Sequence, residues 1–323
     1  MAMLNDLMGW NFAFAFMDYG DTWRQHRKLM HQAFHPAAAE GYRPQQLRTA
    51  RSLAHRLLTT SDFHADIRYW AGQTILSISY GIDTQPRNDP YIEIAEKGVY
   101  PILEAAVPGA YLVDSFSILK YIPDWMPGAS FKKKAKEWKA CADEMRARPF
   151  EATLQNIKDK SAKPSFTLDG LEKVAQNFGS AYTEENVKSV AAGMYQAGSD
   201  TTVAGLSVLI LALLDHPHVI KKVQEELDLV TEQTRFPDFG DEGCLPYLTA
   251  VVKETMRWWT LGPTDEYKGY RIPAGTLVLG NVWAILHDEK IFPDPFVYNP
   301  DRFLDETKTM KNYLTAAWGF GRR

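Results

Sequence analysis

The residues able to do chemistry in this chain fall into a few short patterns. Ala197-Gly198-Ser199-Asp200-Thr201-Thr202 stands in the middle of a long apolar run. A carboxylate beside a hydroxyl can manage water and move protons. The glycine next to them lets another group approach the backbone closely. Trp23 and Arg27 are four apart, hence on one face of a helix. An indole and a guanidinium placed so can hold an anionic group; the plainer reading is a surface Arg stacked on a Trp. Glu254 and Arg257 are three apart and can pair. Glu-x-x-Arg recurs at Glu40/Arg43 and Glu232/Arg235, so the pattern alone says little. Its setting among Val251, Val252, Met256, Trp258 and Trp259 predicts that the Glu254/Arg257 pair is buried. His31 and His35, also four apart, could hold a metal, but no carboxylate completes a motif and His35 adjoins the helix-ending Pro36.

These residues need elements to position them, and the chain reads as mainly helical. A helix from Trp23 to about Phe34 carries Trp23 and Arg27. Two helices follow between Tyr42 and Tyr80. Tyr91 to Met126 is apolar and broken into short helices by Pro101, Pro108 and Pro123. Phe131 to Phe150 is a helix rich in Lys and Arg (Lys132, Lys133, Lys134, Lys136, Lys139), a solvated face or a contact with membrane headgroups. Ser161 to Asp169 reads as a loop. The longest helix starts after Thr183, a plausible N-cap with Glu184 and Glu185 in the first turn, and runs to about Leu214. That is on the order of 45 Å. Its second half, Val203 to Leu214, is apolar on nearly every face and should be buried.

Gly, Ser, Asp and Thr in the centre of such a helix break local rules, since Gly costs about 1 kcal/mol against Ala there and an unpaired buried acid costs more. The pattern reads either as a functional site or as a harmless polar kink. A membrane-spanning helix fits the length, but Asp200 and Gln196 argue against it. Further helices begin at Pro217 and Pro246, the second carrying Glu254 and Arg257. Tyr267 to Leu279 reads as a hairpin around Pro273-Ala274-Gly275, and a short helix lies near Val282 to Leu286. Phe12, Phe14 and Phe16 alternate with smaller residues, as in a short strand or extended connector.

Composition sets broad bounds. The 323 residues are 45% hydrophobic and 24% charged, as in a soluble globular protein. The net charge of −4 gives no case for nucleic-acid binding. Cys141 and Cys244 lie far apart, which suggests neither a disulfide framework nor a zinc site. The first residues lack the basic-then-apolar pattern and cleavage site of a signal peptide, and no uncharged stretch reaches membrane-spanning length.

The order of the motifs is more specific than any one of them. A Trp-x-x-x-Arg helix is followed by a long helix with Ala-Gly-x-Asp-Thr-Thr. Then come Glu-x-x-Arg, Pro-Asp-Arg-Phe at Pro300 to Phe303, and an aromatic-Gly-x-Gly-x-Arg stretch from Trp318 to Arg323. Over essentially the whole chain this resembles a cytochrome P450. The texture is most similar to fungal microsomal members of the O-methylsterigmatocystin oxidoreductase-like kind.

The resemblance implies a mainly α P450 fold with small β-hairpin elements, one domain over residues 1–323, and a haem cofactor. It places Trp23 and Arg27 on a haem propionate, and Ala197 and Gly198 over the haem where oxygen binds. Asp200 and Thr201 become the catalytic proton managers, and Glu254, Arg257 and Arg302 a structural triad. Trp318, Gly321 and Arg323 form the start of the haem-ligand loop. The implied reaction inserts one oxygen atom of O₂ into a small hydrophobic substrate, with electrons from NADPH through NADPH–cytochrome P450 reductase. A full-length relative would contact the endoplasmic reticulum membrane.

The resemblance also sets expectations about what the sequence leaves out. The axial cysteine stands two positions past Arg323, so none of the residues given is the metal ligand. The connector from Trp259 to Tyr267 is short. The N-terminal anchor and first elements precede this chain. The alternative reading is a non-catalytic remnant that cannot ligate haem through cysteine. Arg24 and Lys28 on the Trp23 helix could present positive charge to an acidic reductase.

Overall fold

A computed structural model describes residues 2–85, 88–107, 109–258, 280–304 and 314–319. The expected hairpin at Tyr267 to Leu279 lies outside the described residues, as do Gly321 and Arg323. The chain divides into two compact units, Met1–Val203 and Ala204–Arg323.

In the first unit the elements are α1 (Asp21–Phe34), α2 (Pro36–Ala39), α3 (Arg43–Leu57), α4 (Phe63–Tyr80), α5 (Pro90–Ala105), α6 (Leu112–Ser115), α7 (Ser130–Lys158) and α8 (Phe166–Ala175). The long helix α9 (Glu184–Asp215) begins here. Side-chain caps start several of them. Asp62 accepts from Ala65 N, Asp89 from Tyr91 N and Ile92 N, and Ser165 from Leu168 N. The Thr183 hydroxyl accepts from Asn186 N at 3.1 Å, as its position before the acidic first turn suggested. The core gathers α4, α5, α7 and the first half of α9, with Trp10, Tyr80, Met145, Phe150 and Tyr195 fully buried.

In the second unit, α10 (Pro217–Thr231) and α11 (Pro246–Trp258) pack around Ala212, Val219, Tyr247, Val251 and Tyr298. A smaller cluster of Leu286, Phe292 and Ala316 lies beside α12 (Val282–Leu286).

Several local expectations are corrected. Phe12, Phe14 and Phe16 do not form a strand: residues 2–7 are helical, Gly9 turns the chain at φ 76°, and Trp10–Phe12 is a single 3₁₀ turn. Burial decides it, because Trp10 stacks on Phe12 at 5.2 Å and both sink into the core. Pro101 does not end α5, which runs on to Ala105, and α7 continues through Pro149 to Lys158, past the expected end at Phe150. Both prolines are themselves buried in the packed unit, so tertiary burial offsets the lost backbone bond. The stretch read as a loop up to Asp169 ends earlier, because Ser165 caps α8.

The second half of α9 is not buried all round. Val203, Val208 and Ala212 are buried, while Ala204, Gly205, Leu211 and Leu214 are exposed. This is the one described helix long and apolar enough to cross a membrane. Its first half, from Val187 to Tyr195, belongs to the core of the first unit.

Candidate functional site

The six-residue break in α9 is resolved one residue at a time. Gly198 exists for packing: a Cβ there would lie 2.8 Å from Ile75 Cγ1 on α4. The group that approaches the backbone is therefore a core side chain. Asp200 is half-buried and accepts from Arg68 Nη1 at 3.2 Å, so the acid expected to need a partner has one. Arg68 sits on α4, 132 residues away in sequence. No local signal in the sequence marks it. Arg68 also approaches Glu96 on α5 at 3.6 Å.

Thr201 donates its hydroxyl to Ala197 O at 2.8 Å, the back-bond a threonine makes within a helix. Ala197 and Thr201 are one turn apart and both exposed, which makes a stripe of small residues facing open space.

On α1, Trp23 is 4% exposed and Arg27 half-buried. The Trp23 ring packs at 5.0 Å from Tyr19, but its indole nitrogen is buried with no hydrogen-bond partner among the described residues. A buried donor without an acceptor is costly and calls for a missing partner. Arg24 and Lys28 are exposed on the same helix, with Arg24 paired to Asp21. His35 does not act as a ligand with His31, because its Nδ1 accepts from Ala38 N and caps α2.

In the second unit the Glu-x-x-Arg of α11 is fully buried, both side chains at 0% exposure. Arg257 donates from Nε to Glu254 Oε2 at 2.7 Å and from Nη2 to Oε1 at 2.8 Å. Its Nη1 donates to Leu286 O at 2.9 Å. Arg302 completes the cluster from Nε to Glu254 Oε1 at 3.2 Å, and Asn299 N adds a bond to the same oxygen at 2.8 Å. Arg302 Nη1 and Nη2 hold Pro293 O and Val297 O. One carboxylate thus ties α11 to the irregular segment around Asn299. Asn299 and the carbonyls are partners that sequence reading missed, since backbone groups carry no residue-type signal.

The other two matches behave as the setting predicted. Glu40 and Arg43 make an exposed 3.8 Å contact, and Arg235 pairs with Asp241 instead of Glu232. Trp318 lies exposed in a 3₁₀ turn, Thr315–Trp318.

A mainly helical chain with a polar break in its longest described helix and a buried Glu–Arg–Arg cluster defines a fold of the cytochrome P450 type. The cytochrome P450 family model matches residues 3–323, and the chain belongs to this family. It is 41% identical over 338 residues to cytochrome P450 monooxygenase 98 of Postia placenta, covering 100% of this chain and 65% of that protein. It is 37% identical to a tryptamine 4-monooxygenase of Psilocybe cyanescens, covering 99% of this chain and 66% of that protein. Among solved structures, a zebrafish cytochrome P450 with progesterone aligns at TM-score 0.75 and 27% identity, over 94% of this chain and 72% of that one. The chain therefore spans about two thirds of the length of the curated relatives it matches.

The family implies haem. The residues of the first unit fit it in one testable respect: the unpartnered Trp23 N–H is the donor an anionic propionate would satisfy.

Proposed function

We propose that this chain supplies the oxygen-side machinery of a haem-thiolate monooxygenase that takes electrons from NADPH–cytochrome P450 reductase and acts on a small hydrophobic substrate. The observation that carries it is the Ala197–Thr201 stripe: two small exposed residues in a core helix, one turn apart, with Asp200 next to them. When bound, haem supplies the oxygen-activating iron. Trp23 and Arg27 would hold a propionate, the indole through its free-standing N–H and the guanidinium through charge. Ala197 keeps the face of α9 low enough for a flat group to lie against it. Thr201 holds its hydroxyl at a set position by bonding to Ala197 O, ready to exchange that bond for a water. Asp200, pinned by Arg68, is the carboxylate that would pass a proton toward that hydroxyl.

Glu254, Arg257 and Arg302 are assigned a structural role, holding the segment from Pro293 to Phe303 to α11. Trp318, Gly321 and Arg323 would open the haem-ligand loop, and residues 1–323 are read as belonging to one catalytic domain.

A chimera tests this. Residues 1–323 replace the matching two thirds of the Postia placenta relative, whose own segments complete the protein. It is expected to bind haem with a thiolate-type carbon monoxide difference spectrum, and Trp23→Phe is expected to weaken haem retention. Haem uptake indifferent to Trp23→Phe would remove the propionate assignment.

A second reading for the polypeptide of residues 1–323 is a non-catalytic P450 remnant that does not ligate haem through cysteine. Cys141 packs in α7 near Gly98 of α5, and Cys244 is exposed ahead of α11. A thiolate spectrum from that polypeptide would overturn this second reading.

Membrane contact is proposed through the segment between α5 and α7. Leu112, Phe116, Ile118, Tyr121 and Trp125 are exposed there, Trp125 at 80%. Lys120 and the Lys132–Lys136 run lie beside them in sequence, suited to anionic headgroups.

A further inference from the structure

The side of α9 opposite the Ala197–Thr201 stripe holds a separate feature. Tyr195 and Ser199 are one turn apart and stand about 200° around the helix from Ala197 and Thr201. With α4 and α5 they enclose a cavity of about 300 Å³. Its apolar wall is one face of α5, on which Ile92, Ala95 and Val99 recur at helical spacing. Gly72 of α4 closes the wall, where a Cβ would come within 3.0 Å of Ile92 Cγ1.

The rim is charged. Arg68 stands between Glu96 and Asp200 and meets each through a single oxygen, at 3.6 and 3.2 Å. One guanidinium against two carboxylates leaves an excess of negative charge. An incoming anion would have to take Arg68 from one carboxylate while facing the other. An incoming cation would meet two carboxylates that share one counter-ion.

We propose that this cavity binds a small cationic amphiphile, an arylalkyl- or alkylammonium. Its apolar body lies against Ile92 and Val99, and its ammonium lies between Glu96 and Asp200. The volume is at the lower end of ligand pockets, so one ring with a short chain is the size that fits. Charge-assisted hydrogen bonds are about twice as strong as neutral ones, which gives the cation its advantage over a neutral analogue. Binding here draws Asp200 away from Arg68. That consequence for oxygen-side chemistry rests on the role proposed for Asp200, whereas the binding itself does not.

The test is calorimetric titration of the full 323-residue chain at neutral pH with 2-phenylethylamine, 2-phenylethanol and phenylacetate. The amine is expected to bind saturably and at least tenfold more tightly than the alcohol, with phenylacetate weakest. Glu96→Gln is expected to remove most of the amine's advantage while leaving the alcohol unchanged. Glu96 is a half-exposed surface side chain, so this variant keeps the fold. Val99→Phe fills the cavity and is expected to weaken amine and alcohol alike; if that variant does not fold, Glu96→Gln alone decides. Equal binding of amine and alcohol, tighter binding of phenylacetate, or an undiminished preference in Glu96→Gln would overturn the proposal. Loss of haem binding in the Trp23→Phe chimera would bear on the haem assignment and leave this result untouched.

Discussion

Arg257 grips Glu254 through two parallel bonds of 2.7 and 2.8 Å in a setting that admits no water to either side chain. The pair is one helical turn long, yet it organises residues some 45 positions downstream, because Glu254 also accepts from Asn299 N and Arg302 Nε.

Glu254→Gln should destabilise the chain by about 3–5 kcal/mol, the range for removing one partner of a buried ion pair. It leaves Arg257 buried without a counter-charge. Arg302→Lys should cost less, since Glu254 keeps Arg257 and Asn299 N and the position keeps its positive charge, while the Nε bond to Glu254 and the fork to Pro293 O and Val297 O are lost. Chemical unfolding that ranks Arg302→Lys above Glu254→Gln would contradict this hierarchy.

Gly198 and Ile75 should show coupling in a double-mutant cycle. In an open helix Gly→Ala gains about 1 kcal/mol. At Gly198 the new Cβ meets Ile75 Cγ1 at 2.8 Å, and overpacking of about 1–3 kcal/mol outweighs that gain. Gly198→Ala should therefore destabilise, and should turn stabilising in an Ile75→Ala background. Gly193, with nothing within 4 Å among the described residues, is the control, and Gly193→Ala should be stabilising on its own.

Thr201→Ala removes a hydroxyl whose only described bond is to its own helix, so stability should change by less than about 1 kcal/mol. In the haem-loaded chimera reduced by reductase, the same variant should release more hydrogen peroxide per electron consumed. Unchanged coupling would take Thr201 out of the proton path.

His26 gives a pH signature. Burial pushes its pKa below 6.5, against an opposing hydrogen bond to Asn186 Oδ1 at 3.2 Å; Arg146 lowers it further and Glu185 raises it. Asn186 donates its amide to Gln25 Oε1 and Ala181 O, which turns its oxygen to the ring and places the proton on Nε2. The folded state resists protonation, so the unfolded chain binds more protons as pH falls below 6.5. Stability present above 6.5 is lost as pH drops through the folded value. Replacing His26 with Gln should flatten the stability profile below pH 6.5. His287, also lowered chiefly by burial, should leave a residual slope.

Phe116→Ser with Trp125→Ser should reduce flotation of the chain with vesicles containing anionic lipid several-fold, without moving the unfolding midpoint, because both side chains are exposed. Undiminished flotation would place membrane contact elsewhere.

Much of this protein was legible from its sequence. The start of α9 was, because Thr183 caps it through its own side chain and capping is local, whereas the caps at Asp62, Asp89 and Ser165 were evident only in the structure. The buried Glu254/Arg257 pair was, because apolar neighbours on one helix announce burial. The order of motifs, from Trp23 to Trp318, carried the family. Tertiary structure alone decided the partners. Arg68 reaches Asp200 across 132 residues, Ile75 explains Gly198, and Trp10 and Phe12 leave a strand-like alternation for a helical turn. Pro101 and Pro149 stay inside helices where the prolines are themselves buried. Spacing along a chain encodes which residues share a face. Which face meets which neighbour is settled only when the helices pack, and that contact gave the polar break in α9 a carboxylate with a counter-ion on one side and an exposed stripe of small residues on the other.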